Sequence, residues 1–304
     1  YDKRFAGAVS VSGGALGILI PPSNPFLMYG IIASQSIGAL FLAGVLPGII
    51  MTIALSFTAW LVLRIQSRKS EVVVEEVIAT KLTPVDVFKA FWDAKWSIIA
   101  IILLLGGIYA GFFTPIEAAE VTVFYTLVVG LLITKKLNVK NIIDALRRTV
   151  RLTGTLIILV GAGVAFSKLL TIMHIPQALG NSLAGMSAGK HVILLLIMAV
   201  MIFVGTWCET FSQIIILTPI FLPVVQRLGV DPIHFGVLFV VTAEIGFLTP
   251  PVGANLFVGM KIAKVSLEEI SKSTIPFILT YIVVLLLLVF FPQISLLLPT
   301  LVFG

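Results

Sequence analysis

Long runs of apolar residues are the feature that most constrains how this chain can fold. A helix needs roughly 20 apolar residues to cross a bilayer, and five runs of about that length span residues 39–63, 95–113, 118–134, 152–172 and 275–298. Only 11% of the 304 residues are charged, whereas soluble domains have about 25%. A soluble enzyme is therefore excluded. Because the runs do not alternate as barrel strands do, the sequence predicts an all-α integral membrane protein.

Three further apolar segments, 5–33, 192–226 and 234–262, are interrupted near their middle. Glycine, proline and polar residues form these breaks, which lie at 21–25, 205–210 and 249–253. Proline lacks an amide donor and disfavours helical geometry in the residue before it. We therefore expect discontinuous helices, with a simple proline kink as the structural alternative.

Two of the breaks belong to an internal repeat. Residues 17–30 align without a gap on 246–259, with Gly, Leu, Pro, Pro, Leu and Gly at identical positions. A shared Pro-Pro pair makes chance agreement unlikely to explain the match. The repeat predicts two structurally equivalent broken helices.

Basic residues indicate how the chain is oriented. The stretch 135–151 carries six lysines and arginines against one acid, which places it in the cytoplasm by the positive-inside rule. If 192–226 crossed once, the basic arm at 261–272 would lie outside. A re-entrant hairpin puts that arm inside and is the favoured prediction. The two repeat copies then have opposite topology, as in inverted-repeat secondary transporters.

The breaks also predict binding chemistry. We expect the carbonyls of Gly17 and Gly246 to lose their helical partners, and a small cation would satisfy such oxygens. The restarting half-helices point positive N-termini at the same place, which suits a carboxylate. No Cys/His metal cluster is expected, because the chain has one cysteine and three scattered histidines.

Several polar residues near the breaks are candidates with alternatives left open. Glu209 is either functional or a solvated cap, and Glu244 either pairs with a basic group or shapes the cation site. Asn24 and Asn255 either cap free amides or contact substrate. Thr206 and Thr210 complete the candidate substrate-binding residues.

An ordered set of motifs then resembles a known family. These runs are GILIPPS at 17–23, GIYAGFFTPIEAA at 107–119, GTWCET at 205–210, IIILTPIFLP at 214–223, GVDPIHFG at 229–236 and GFLTPPVG at 246–253. Together they resemble the large membrane subunit of tripartite ATP-independent periplasmic (TRAP) transporters, over essentially the whole chain. The family commonly has aspartate where Glu209 stands, which leaves a side-chain role there open.

The resemblance implies a sodium-coupled, elevator-type importer of an organic acid, such as a C4-dicarboxylate or sialic acid, related to the ion-transporter superfamily. It implies a first sodium site at Gly205, Gly246, Thr249 and Val252, and a second at Gly17, Ile20 and Ser23. It also implies two partners, a small four-helix membrane subunit and a periplasmic substrate-binding protein, in the bacterial inner membrane. A stand-alone sodium/dicarboxylate symporter is the alternative. We expect Na⁺ as coupling ion, with no organic cofactor, nucleic acid or enzymatic activity.

The predicted organisation has five parts. The end of the first repeat occupies 1–38, and its hairpin is expected in an N-terminal part before Tyr1. Scaffold helices follow over 39–134, with a cytoplasmic surface helix at 64–95. A basic linker and a spanning helix occupy 135–190. The transport core of the second repeat covers 191–263, and a cytoplasmic arm with the last spanning helix covers 264–304.

Overall fold

The computed structural model describes residues 2–67, 83–175, 178, 182 and 189–303. All regular elements in these ranges are helices, which confirms the predicted all-α class. Five of the described helices are long and apolar enough to cross a membrane, or six if one bent pair is counted as a span. The chain divides into two compact units, Tyr1–Ile65 with Ile157–Gly304, and Gln66–Leu156.

Helices are numbered along the chain. The first unit is built from α1 (Lys3–Leu16), α2 (Asn24–Ala33), α3 (Ile37–Ser67), α8 (Lys190–Gly205), α9 (Thr210–Arg227), α10 (Pro232–Phe247), α11 (Ala254–Ala263), α12 (Leu267–Phe290) and α13 (Gln293–Phe303). The second contains α4 (Pro84–Asp93), α5 (Lys95–Tyr109) and α6 (Pro115–Ile133). Helix α7 (Val139–Ile172) has residues in both ranges.

The three predicted breaks are present. Residues 17–23 separate α1 from α2, residues 206–209 separate α8 from α9, and residues 248–253 separate α10 from α11. The peptide bonds Pro21-Pro22 and Pro250-Pro251 are both cis. Ser23 caps the second half of the first broken helix, because its hydroxyl accepts the Phe26 N–H at 3.3 Å.

The two broken helices pack side by side in opposite directions. At one end α1 begins beside the end of α11: a Cβ on Gly7 would lie 2.9 Å from the Ala263 Cβ. Arg4 also pairs with Glu269 at 2.8 Å. At the other end of the pair, the Tyr29 hydroxyl near the end of α2 donates to the Pro232 carbonyl at the start of α10, at 2.7 Å.

Helices α8 and α9 form a helical hairpin. Lys190 and His191, at the start of α8, line a small cavity together with residues 229–231, which follow α9. The tip at Gly205 instead touches Gly246, near the far end of α10. The start of α8 and the end of α9 therefore lie together, and the tip lies away from them. The chain runs out along α8 and returns along α9.

Helix α3 covers the first break through two glycines. A Cβ on Gly44 would lie 2.5 Å from both the Leu19 carbonyl oxygen and Phe26 Cε2, and one on Gly48 would lie 2.8 Å from Ile20 Cγ1. These positions need glycine because the helix backbone approaches the interrupted segment so closely. The first break is thereby packed against α3, which is itself a continuous helix.

In the second unit, two helices begin with reciprocal capping boxes. Thr83 and Asp86 cap α4, and Thr114 and Glu117 cap α6. Glu117 therefore has a structural role at the start of α6. Helices α4 and α5 meet at 60°. The structure describes only part of the predicted surface helix at 64–95, because residues 68–82 lie outside the described residues. Within the described part, α3 continues to Ser67 and α4 begins at Pro84.

Two predicted spans have wrong boundaries. The run 152–172 belongs to α7, which already begins at Val139, so much of the predicted basic linker is helical. The run 275–298 is not one helix, because α12 starts at Leu267 and ends at Phe290. Pro292 lies between α12 and α13, and it cannot donate the amide that a continuous helix would require.

Candidate functional site

One polar cavity in the first unit is lined by the first break, by the hairpin tip and by the helix ends on either side of the third break. Its volume is about 310 Å³. The lining residues come from both broken helices and from the hairpin tip; they are Gly14, Gly17, Ile18, Pro22, Ser23, Asn24, Pro25, Glu209, Thr210, Phe211, Glu244, Phe247 and Asn255. The structure thus brings together four of the five predicted substrate residues: Asn24, Glu209, Thr210 and Asn255.

Three helix N-termini meet at this cavity. Helix α2 begins at Asn24, α9 at Thr210 and α11 at Ala254, next to Asn255. Each N-terminus carries the equivalent of roughly half a positive charge, together with amides that lack helical partners. The cavity therefore offers backbone donors to an anion, although the described lining includes no lysine, arginine or histidine.

The hairpin tip touches the second broken helix through two glycines. A Cβ on Gly246 would lie 2.6 Å from both the Cα and the carbonyl carbon of Gly205, and 3.0 Å from the Ile202 carbonyl oxygen. No side chain fits in this contact. As a result, the last turn of α8 and the last turn of α10 are in direct backbone contact.

The other members of the first predicted sodium site surround this contact. The Val252 N–H donates to the Thr206 carbonyl at 3.2 Å and joins the second break to the tip. The Thr249 hydroxyl donates to the Ile245 carbonyl at 2.6 Å, which leaves its oxygen lone pairs available as acceptors. Gly205, Gly246, Thr249 and Val252 therefore lie close to one another. Thr206 lies with them and is not among the cavity's lining residues.

The Gly246 carbonyl loses its helical donor, because position 250 is proline, but it is not left without a hydrogen bond. This oxygen accepts the Thr249 N–H at 2.9 Å, because the chain makes a tight turn as α10 ends. Such turns commonly tighten the last turn of a helix. A carbonyl oxygen has a second lone pair, so one hydrogen bond does not exclude Gly246 as a ligand.

The residues of the second predicted sodium site lie in and beside the first break. Gly17 and Ser23 line the cavity. The Ser23 hydroxyl donates to the Ile18 carbonyl and caps α2. The Ile20 side chain is 42% exposed and packs on Gly48 of α3. Because this side chain is a hydrocarbon, only the Ile20 backbone could contribute a ligand.

The two acids of the cavity have different surroundings. Glu209 is exposed and is the N-cap of α9, since its carboxylate accepts the Ser212 N–H at 3.3 Å. Glu244 is only 3% exposed. It accepts hydrogen bonds from the Thr210 hydroxyl at 3.4 Å and the Asn255 amide at 3.5 Å. The ion pairs found in the described part of the chain do not include Glu244.

Gln213 is a polar residue at the tip that sequence reasoning missed. Its side chain is 1% exposed and packs on Gly205, where a Cβ would lie 3.0 Å from Nε2 and 3.3 Å from Oε1. Nε2 donates to the Cys208 carbonyl at 3.1 Å, whereas Oε1 is buried without a partner among the described residues. An amide side chain just before the apolar run 214–217 was the available signal.

The fold and the cavity define a class. This is a multi-pass helical membrane protein in which broken helices and a helical hairpin surround a polar cavity. A comparison with protein families assigns it further. The family described as "Tripartite ATP-independent periplasmic transporter, DctM component" matches residues 1–294, and the chain belongs to this family.

Individual relatives agree with that assignment. The chain is 37% identical to the isethionate TRAP transporter permease protein DctMQ of Oleidesulfovibrio alaskensis, over 97% of the chain and 45% of that relative. It is 34% identical to the C4-dicarboxylate TRAP transporter large permease protein DctM of Rhodobacter capsulatus, over 99% of the chain and 70% of the relative. For the sialic acid TRAP transporter large permease protein SiaM of Vibrio cholerae, the identity is 33% over 100% of the chain and 69% of the relative.

Proposed function

We propose that the chain is the transport-competent part of a TRAP large permease, which imports a small organic acid across the bacterial inner membrane by sodium symport. The observation that carries the proposal is one polar cavity that both broken helices and the hairpin tip line. Secondary transporters with inverted repeats bind substrate and coupling ions at such discontinuities. The antiparallel packing of the two broken helices supports an inverted repeat.

The cavity supports an anionic substrate. Three helix N-termini supply amide donors and positive potential, and Asn24, Thr210 and Asn255 add neutral polar groups. The names of the three relatives refer to isethionate, C4-dicarboxylate and sialic acid. All three are organic acids, and we propose a substrate of this class.

Sodium fits the residues beside the cavity. The Gly205–Gly246 contact, which a Cβ would fill, places backbone oxygens at a point where two helices end, and Thr249 adds a hydroxyl oxygen. Hard cations prefer oxygen ligands. We propose one sodium site at Gly205, Gly246, Thr249 and Val252, and a second at Gly17, Ile20 and Ser23. The bound ions would couple uptake to the sodium gradient and lower the cost of placing an anion beside Glu209 and Glu244.

The hairpin and the broken helices would move together as the mobile part of an elevator. Backbone contact between Gly205 and Gly246, with the Val252–Thr206 hydrogen bond, ties the tip to the second break. We propose that a small four-helix membrane subunit braces the scaffold and that a periplasmic binding protein delivers the substrate. Both partners follow from family membership.

Uptake into proteoliposomes tests this function. The complete permease complex would be reconstituted, and accumulation of labelled C4-dicarboxylate, sialic acid and isethionate would be measured with and without an inward sodium gradient and the cognate binding protein. We expect accumulation of one substrate only when both are present. Sodium-driven uptake without the binding protein would indicate a stand-alone symporter instead. Equilibration that is indifferent to sodium would contradict the proposed coupling.

A substitution at Thr249 tests the first sodium site. Thr249→Ala removes the hydroxyl oxygen, so we expect a higher sodium concentration for half-maximal uptake and an unchanged order of substrate preference. Thr249→Ser keeps the oxygen and is the matched control. Equal sodium dependence in the alanine variant and the wild type would remove Thr249 from the site.

A further inference from the structure

We propose that the Gln213 side chain is an additional cation ligand of the site at the hairpin tip, supplying its Oε1 to the ion held by Gly205, Gly246, Thr249 and Val252. This inference rests on the proposed sodium site and adds a residue to it. It assigns a function to a buried amide that packing alone does not explain.

The first observation is the position of the amide. Gln213 lies one turn into α9, and its amide packs on Gly205, the residue that also touches Gly246. A Cβ on Gly205 would lie 3.0 Å from Gln213 Nε2 and 3.1 Å from the Gly246 Cα. The Gln213 amide and the Gly246 backbone therefore lie close around the same α-carbon.

The second observation is the unpaired oxygen. Nε2 donates to the Cys208 carbonyl at 3.1 Å, which fixes the amide so that Oε1 points elsewhere. Oε1 is buried and has no hydrogen-bond partner among the described residues. An unsatisfied buried acceptor lowers stability, because it has lost its hydrogen bonds to water without gaining a partner. A cation bound at the tip would satisfy this oxygen, and amide oxygens are among the ligands that hard cations prefer.

Other buried hydroxyls do not combine these features. Thr218, also on α9, has a fully buried Oγ1 with no hydrogen-bond partner among the described residues. It lines a different cavity, with Pro219 and residues of α2 and α7, and not the hairpin tip. Thr218 is therefore a control that shares the helix, the burial and the unpaired oxygen of Gln213 and differs in position.

Sodium binding to the purified complex tests the proposal without relying on transport. Sodium-dependent thermal stabilisation and ²²Na⁺ binding would be measured for the wild type, Gln213→Leu, Gln213→Glu and Thr218→Val. Removing one ligand should weaken apparent sodium affinity about tenfold in Gln213→Leu. Gln213→Glu keeps an oxygen ligand, so its affinity should equal or exceed that of the wild type. Thr218→Val should bind sodium as the wild type does.

The outcomes separate this inference from the function on which it rests. Wild-type protein that binds no sodium would contradict the proposed function itself. Sodium binding that is normal in Gln213→Leu would overturn the ligand assignment and leave the function standing. Equal weakening in Gln213→Leu and Thr218→Val would also overturn it, because loosened packing of α9 would then be the cause. Should Gln213→Leu fail to fold, weakened binding by Gln213→Glu would contradict the proposal.

Discussion

At the scale of single residues, the contact between Gly205 and Gly246 determines how the hairpin tip meets the broken helix. We predict that Gly246→Ala destabilises the protein by about 1–3 kcal/mol, because its Cβ would lie 2.6 Å from two backbone atoms of Gly205, which cannot rotate away. Thermal unfolding in detergent would measure the loss. Gly13→Ala is the control, since a Cβ there meets no described neighbour within 4 Å.

Helix propensity favours alanine over glycine at both positions, so a loss of stability in Gly246→Ala would have to exceed that gain. Alanine is favoured over glycine inside a helix by roughly 1 kcal/mol, so Gly13→Ala should leave stability unchanged or raise it. Gly246 is also in a helix, so propensity acts against the predicted loss. A Gly246→Ala protein as stable as Gly13→Ala would mean that the tip does not rest on α10 as described.

Glu244 gives a prediction in which stability and function change in opposite directions. A buried carboxylate without a basic partner is costly, and the ion pairs of the described residues do not include it. We predict that Glu244→Gln raises thermal stability, because the amide keeps an oxygen for Thr210 and removes the charge. We also expect uptake to fall at least about tenfold, because ionisable side chains at membrane depth usually have a function in transport. Glu209→Gln, at an exposed cap, should not be stabilised. Lower stability of Glu244→Gln would contradict this interpretation.

The sequence predicted some of these residue contacts and missed others for physical reasons. Pro-Pro pairs and glycines indicate a break because they act on their own backbone, so the break after Gly246 could be predicted from the residues. Gly205 and Thr249 were implied by the family resemblance instead. The partner of the Gly246 carbonyl depends on the turn that the chain makes afterwards. The unpaired oxygen of Gln213 depends on a second helix. Neither follows from local composition.

At the scale of elements, the antiparallel contact between α1 and α11 is the packing that supports an inverted repeat. We predict that Gly259→Ala destabilises the protein by about 1–3 kcal/mol, because its Cβ would lie 2.2 Å from Val11 Cγ2. Val11→Ala should remove that clash and recover part of the loss in the double variant, although Ile270 Cδ1 must also rotate away. A double-mutant cycle by thermal unfolding measures the coupling. Strictly additive effects would place Val11 away from Gly259.

Helix boundaries were the weakest part of the sequence-based prediction. Hydropathy indicates which residues suit lipid, whereas caps determine where a helix begins. Helix α7 starts at Val139, where the Asn138 side chain accepts the Asn141 N–H at 2.8 Å. Helix α12 starts at Leu267 behind a capping box of Ser266 and Glu269. Both signals are visible in the sequence, and both lie outside the apolar runs.

At the scale of the whole molecule, the hairpin tip must become accessible from each side of the membrane in turn if the proposed elevator operates. Cys208 lies within this tip and is the only cysteine of the chain. Cys208 is partly exposed, so its reaction with a maleimide can report on its surroundings. The structure thus carries a natural probe at the hairpin tip, next to Glu209 of the cavity lining.

We predict that a membrane-impermeant maleimide labels Cys208 of the reconstituted complex from one side in the absence of sodium. Sodium together with substrate should slow that labelling several-fold, because an occupied tip closes onto the cavity as the population shifts. Labelling would be followed over time with reagent inside or outside the vesicles, and Cys208→Ser would give the background from partner subunits. A passive channel predicts labelling from both sides at rates that ligands do not change. Such rates would contradict alternating access while leaving the all-helical fold and the family assignment intact.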